Sequence, residues 1–103
     1  MKLSWTLGAR DDLVAIARFI AESNPTAARR WIGRLRTQAR RATRFPRSGR
    51  VVPEFGREDL REFIFRGYRI VSLLRADDVF VLSVFEGHRQ IRLTGEDLAG
   101  AGK

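Results

Sequence analysis

At Phe45-Pro46 the hydrophobic pattern of this chain changes period, and that switch limits the folds open to it. Before it, apolar residues recur at helical spacing; after it, short runs of β-branched and aromatic residues are separated by turn formers. No linker, repeat or low-complexity stretch divides the two halves. At 103 residues both must feed one core, so a single α+β domain over residues 1–103 is expected.

Residues 3–7 alternate, with Leu3, Trp5 and Leu7 on one side and Ser4 and Thr6 on the other, and read as a first strand closed by Gly8. From Ala9 the spacing of Leu13, Ile16, Ala17 and Ile20 predicts an amphipathic helix over 9–22. Ser23-Asn24-Pro25 supplies a stop and a restart, because Asn24 or Ser23 can cap exposed amides and proline suits the first helical position. The second helix runs over 25–43, with Trp31, Leu35, Ala39 and Ala42 as its apolar stripe and arginines on its other faces. So short a link makes the two helices an antiparallel hairpin.

Residues 61–65, 68–74 and 79–85 read as strands, joined by Arg66-Gly67 and by Ala76-Asp77-Asp78 as hairpin turns. The last two are almost continuously apolar, which predicts central strands covered on both faces. Residues 50–59, carrying Pro53 and Gly56, form a loop or a short edge strand.

Composition enters through what it excludes. Cysteine is absent and histidine occurs once, too few soft ligands for a zinc centre, so no metal or other cofactor is expected. No stretch approaches the roughly 18 consecutive apolar residues of a membrane span. Met1-Lys2 runs directly into Leu3-Ser4-Trp5 without a signal-peptide core, so a cytoplasmic protein is expected. The charge is biased: 20 Lys+Arg against 12 Asp+Glu give net +8, and all the basic residues but Lys2 and Lys103 are arginine. The guanidinium fork matches phosphate and carboxylate bidentately, which favours a polyanion or an acidic protein as partner.

The chain resembles the RelE/ParE toxins of bacterial type II toxin-antitoxin systems over nearly its whole length. The residues that carry the resemblance are Ala9, Asp12-Leu13 and Ile16; Asn24-Pro25 and Ala27-Ala28; and Pro46 with Ser48-Gly49-Arg50. They continue with Val52-Pro53-Glu54, Arg61-Glu62, Tyr68-Arg69-Ile70-Val71, and Val79 to Val84 leading to Gly87-His88-Arg89. The resemblance implies growth inhibition by the free chain and neutralisation by a cognate acidic antitoxin in a hetero-oligomer. It also implies one of two targets, DNA gyrase for ParE-like members or ribosome-bound mRNA for RelE-like ones.

RNA cleavage through a 2′-hydroxyl needs a proton acceptor, a donor to the leaving oxygen and cations for the phosphorane. By resemblance to the RelE branch those roles would fall to Arg61, Arg69, His88 and Arg89. The lysine-rich RelE arrangement is missing, since no lysine lies between Lys2 and Lys103 and no tyrosine follows Tyr68. Arg69 also has a structural alternative, pairing with Glu54, Glu62 or Glu86. The ParE-like reading therefore leads, with an endoribonuclease as the alternative. It needs only a recognition surface, for antitoxin or target; Arg30, Arg34 and Arg41 on the second helix and Glu86 and Arg92 in the segment 86–103 are its candidates.

Overall fold

The computed structural model describes residues 1–87, 91, 93–95 and 98. The elements follow the order β1 (Lys2–Trp5), α1 (Leu7–Ala21), α2 (Pro25–Arg44), β2 (Arg50–Val51), β3 (Leu60–Phe65), β4 (Tyr68–Arg75) and β5 (Asp78–Glu86). The first strand is shorter than its alternation predicts. Thr6 accepts a hydrogen bond from the Ala9 amide at 3.1 Å and caps α1, so Leu7 and Gly8 enter the helix and Leu7 is left 74% exposed. Asn24 caps α2 in the same way through the Ala27 amide at 3.0 Å, with Pro25 as the first helical residue.

The strands form a five-stranded sheet in the order β1-β5-β4-β3-β2. Strands β2 to β5 pair antiparallel, as the hairpin turns require, but β1 joins β5 in parallel and makes the sheet mixed. That pairing places the chain start beside the last strand, and the helical hairpin carries the chain from this edge of the sheet to β2 at the other. The β3–β4 turn is Arg66-Gly67, both with positive φ (47° and 86°), the geometry that matches the twist of a two-residue hairpin. In the β4–β5 hairpin Asp78 belongs to the strand, paired with Arg75, and the turn is Ala76-Asp77. Gly49 is required for a different reason: a Cβ there would lie 2.7 Å from the Glu62 carbonyl oxygen.

Both faces of the central strands are covered. On one face Ala9 and Leu13 of α1 and Leu35 and Ala39 of α2 pack on Phe63, Ile70, Val79, Val81 and Val84 of the sheet. On the far face Val52, Leu60, Val71, Leu73, Leu82 and Ile91 form a second cluster, closed over by Phe55, Leu93 and Leu98. A β-bulge at Leu82 of β5 resets the alternation, which is why Val84 rather than Ser83 joins Val79 and Val81 in the helix-side core. Asp12 of α1 holds this irregularity, accepting from the Val84 amide at 2.9 Å and the Ser83 hydroxyl at 3.1 Å. Half-burial raises its pKa above the ordinary carboxylate value, opposed by those two hydrogen bonds.

Candidate functional site

Strand alternation decides what the predicted catalytic arginines can do together. On β3 and β4, Arg61 has the parity of Phe63 and Phe65 and faces the helices, whereas Arg69 has the parity of Val71 and Leu73 and faces away. The two cations therefore lie on opposite faces of the sheet and do not converge on one phosphate. Arg61 is engaged locally: its guanidinium donates to the carbonyls of Glu58, Arg47 and Gly49 and to the Glu58 carboxylate at 2.6 Å. It ties the turn after α2 to the start of β3.

Arg69 sits in a closed network. Its two terminal nitrogens donate to the two oxygens of Glu54, each at 2.7 Å, and its Nε donates to Glu62 at 2.5 Å. The other oxygen of Glu62 accepts from Arg50. The guanidinium lies 5.1 Å from the centre of the Phe85 ring. Arg69 is 5% exposed and Glu62 1%, so this is a buried pair with its partners supplied. The hydrogen bond to Arg69 holds the Glu54 carboxyl down to about 2 despite its desolvation. The same bond, ahead of the one to Glu62, raises the pKa of Arg69. Two arginines against two glutamates leave the network neutral, and a phosphate would have to displace carboxylates already in place.

Of the remaining residues drawn from the sequence, His88, Arg89 and Arg92 lie outside the described residues. Glu86 ends β5 and lines a shallow groove with Asp12, Phe19, Tyr68 and Phe85. Arg30, Arg34 and Arg41 are exposed on the outer side of α2. Among the described residues no group of three or more His, Asp and Glu is placed to hold a metal ion. No helix among them is long and apolar enough to cross a membrane.

The sequence reading missed a groove along the seam of α1 and α2. Its floor is Leu13, Ala17, Ala28 and Ile32, and its rims carry Val14, Arg10, Arg18, Arg29 and Arg36. Exposed Leu7 and Val14 lie along the outer side of α1, and Phe19, 68% exposed, lies on its opposite flank. Only the apolar outliers on α1 hinted at it, because the groove arises from how two helices lie together. Small side chains on both helices, Ala17, Ala21 and Ala28, keep it open.

Trp31 does not offer a stacking platform. It is half-buried, packed edge-on against Phe65 and Tyr68 with both ring centroids at 5.9 Å.

Comparison with known proteins fits this architecture. Among solved structures, one described as the chromosomal ParDE TA system from P. aeruginosa superposes with a TM-score of 0.70. It is 18% identical and covers 84% of this chain and 95% of its own, so it speaks to the fold alone. No curated protein matches by sequence. The model of the family described as the ParE toxin of the type II toxin-antitoxin system parDE matches residues 3–91. With that match spanning both helices and the whole sheet, the chain belongs to the ParE toxin family.

Proposed function

We propose that this toxin acts by binding DNA gyrase, and that a cognate antitoxin neutralises it through an acidic amphipathic segment laid in the α1–α2 groove. The observation that carries the non-catalytic part is the state of Arg69. The strand arginine that would serve a nuclease is buried between Glu54 and Glu62, and Arg61 is spent on loop carbonyls across the sheet. Catalysis of phosphoryl transfer requires cations free to meet developing charge, and neither arginine is free. The antitoxin part rests on family membership and on the chemistry of the groove. An apolar floor rimmed by four arginines suits a helix with one apolar face and acidic edges.

Inducible expression of the chain alone tests the target, with mRNA ends mapped by primer extension and gyrase supercoiling assayed on purified components. The expected result is inhibited supercoiling with messages intact. Codon-phased cleavage with normal supercoiling would overturn the proposal and return attention to His88 and Arg89.

A further inference from the structure

The surplus charge of this protein is concentrated on one helix. Helix α2 holds seven arginines and no acidic residue, which leaves 13 basic against 12 acidic residues in all the rest of the chain. The acidic residues between α2 and β4 are already engaged: Glu54 with Arg69, Glu58 with Arg47 and Arg61, Asp59 with Arg57, and Glu62 with Arg50 and Arg69. Among the described residues no arginine of α2 makes an ion pair. Arg30 and Arg34 stand one turn apart and repel each other, and Arg29 and Arg30 oppose the positive end of the helix dipole. An anionic partner would relieve both costs.

Within that charge lies an ordered ridge. At 3.6 residues per turn Arg30, Arg34, Arg41 and Arg44 fall within about 80° of one another, directly opposite the buried stripe, over a length of about 21 Å. Arg66, in the β3–β4 turn, adds a fifth cation beside Arg30 and Arg34 across a shallow groove. Two of these heads are held in place. Arg66 lies over the rings of Trp31 and Phe65 at 6.0 and 5.7 Å; Arg41 lies over Phe63 at 5.5 Å and donates to Gln38 at 3.0 Å. Between them the surface is Gly33, Thr37 and Gln38, with Phe65, partly buried beneath Arg66, as the apolar side chain of the groove.

We infer that this ridge binds the phosphate backbone of duplex DNA, so that the toxin contacts DNA directly and without sequence preference. A protein partner would need a cluster of apolar anchors at the centre of its interface; here such clusters lie on α1 and in the α1–α2 groove, whereas exposed Phe45 stands singly past the end of the ridge and exposed Ile64 on the other face of the sheet. A single strand would need a run of exposed aromatic faces on which bases stack; Trp31 and Phe65 pack edge-on beneath Arg66, and exposed Phe45 stands singly past Arg44 at the end of the ridge. What remains is a row of guanidinium groups carried on a rigid helix, suited to charges spaced at fixed intervals. The inference does not depend on gyrase being the target, because its test contains no gyrase.

The test is fluorescence anisotropy of the purified full chain with two 25-base-pair duplexes of unrelated sequence and with one of the single strands. Salt is titrated from 50 to 200 mM. Five phosphate contacts predict a loss of affinity of about 500-fold across that range. The triple variant Arg30→Gln/Arg34→Gln/Arg41→Gln retains two contacts, and its loss should shrink to about 12-fold. A charge-matched control away from both the ridge and the groove, Lys2→Gln/Arg57→Gln/Arg75→Gln, should keep the parental salt dependence, and circular dichroism should show both variants folded. Equal affinity for the two duplexes with the salt response lowered only in the ridge variant supports the inference. Absent duplex binding at 50 mM, tighter binding of the single strand, or equal losses in ridge and control variants would overturn it. So would a ridge variant that keeps duplex binding but no longer retains the antitoxin.

Discussion

Replacing Arg69 by methionine separates a structural arginine from a catalytic one. The substitution keeps an unbranched apolar stem against Phe85 while removing three donated hydrogen bonds. Glu62, 1% exposed, is then left with Arg50 alone, whose side chain is 58% exposed. Breaking one partner out of a buried ion pair costs about 3–5 kcal/mol, and the surviving Arg50 contact places the expectation at about 3 kcal/mol. With an unfolding entropy of about 2.1 cal/mol/K per residue, a chain of this length loses about 14 °C in Tm. The double variant Arg69→Met/Glu62→Leu removes both buried charges together and should recover at least half of that loss, since apolar replacement of a whole pair is close to neutral. Thermal melts by circular dichroism, run alongside toxicity at a temperature well below either Tm, provide both readouts. Toxicity should survive in both variants wherever they are folded. A single variant melting within about 3 °C of the parent would refute the claim that Arg69 is a structural member of a buried ion-pair network. Lost toxicity at an unchanged Tm would make Arg69 a residue that acts on the target.

The same network predicts an acid response. Because the Glu54 pKa is depressed in the folded state, from 4.5 to about 2, its stabilisation is present above pH 4.5 and is lost as pH falls towards 2. The gap in urea midpoint between the parent and Glu54→Gln should close over that window; a constant gap would contradict the assignment. Asp12→Ala strands the buried Val84 amide and should cost about 1–3 kcal/mol, whereas Asp12→Asn keeps an acceptor and should cost under about 1 kcal/mol in urea denaturation. Val14→Glu places a carboxylate in the groove at an exposed position, so co-purification with the antitoxin should weaken at least about 10-fold, equivalent to 1.4 kcal/mol, while the melting temperature stays put.

Local patterning along the chain was sufficient for the elements. The spacing of Leu13, Ile16 and Ile20, the Asn24-Pro25 restart, the stripe of Leu35, Ala39 and Ala42 and the Arg66-Gly67 turn each act through a few neighbouring residues, and each is found where its chemistry places it. So was the net charge, and with the motif residues the family. What lay beyond local pattern depended on contacts between distant residues. The parallel pairing of β1 with β5 joins residues 76 apart, and the bulge at Leu82 is held by an aspartate on α1. The partners of Arg69 were legible only as a choice among glutamates; the loop carrying Glu54 and the register of β3 decided it. Composition likewise counted the arginines without showing which were neutralised. That depended on where the chain placed Glu54, Glu58, Asp59 and Glu62: among Arg47, Arg50, Arg57, Arg61 and Arg69, and away from α2. A charge declares its sign in the sequence, but whether it is free to meet a partner is set by the groups that folding puts beside it.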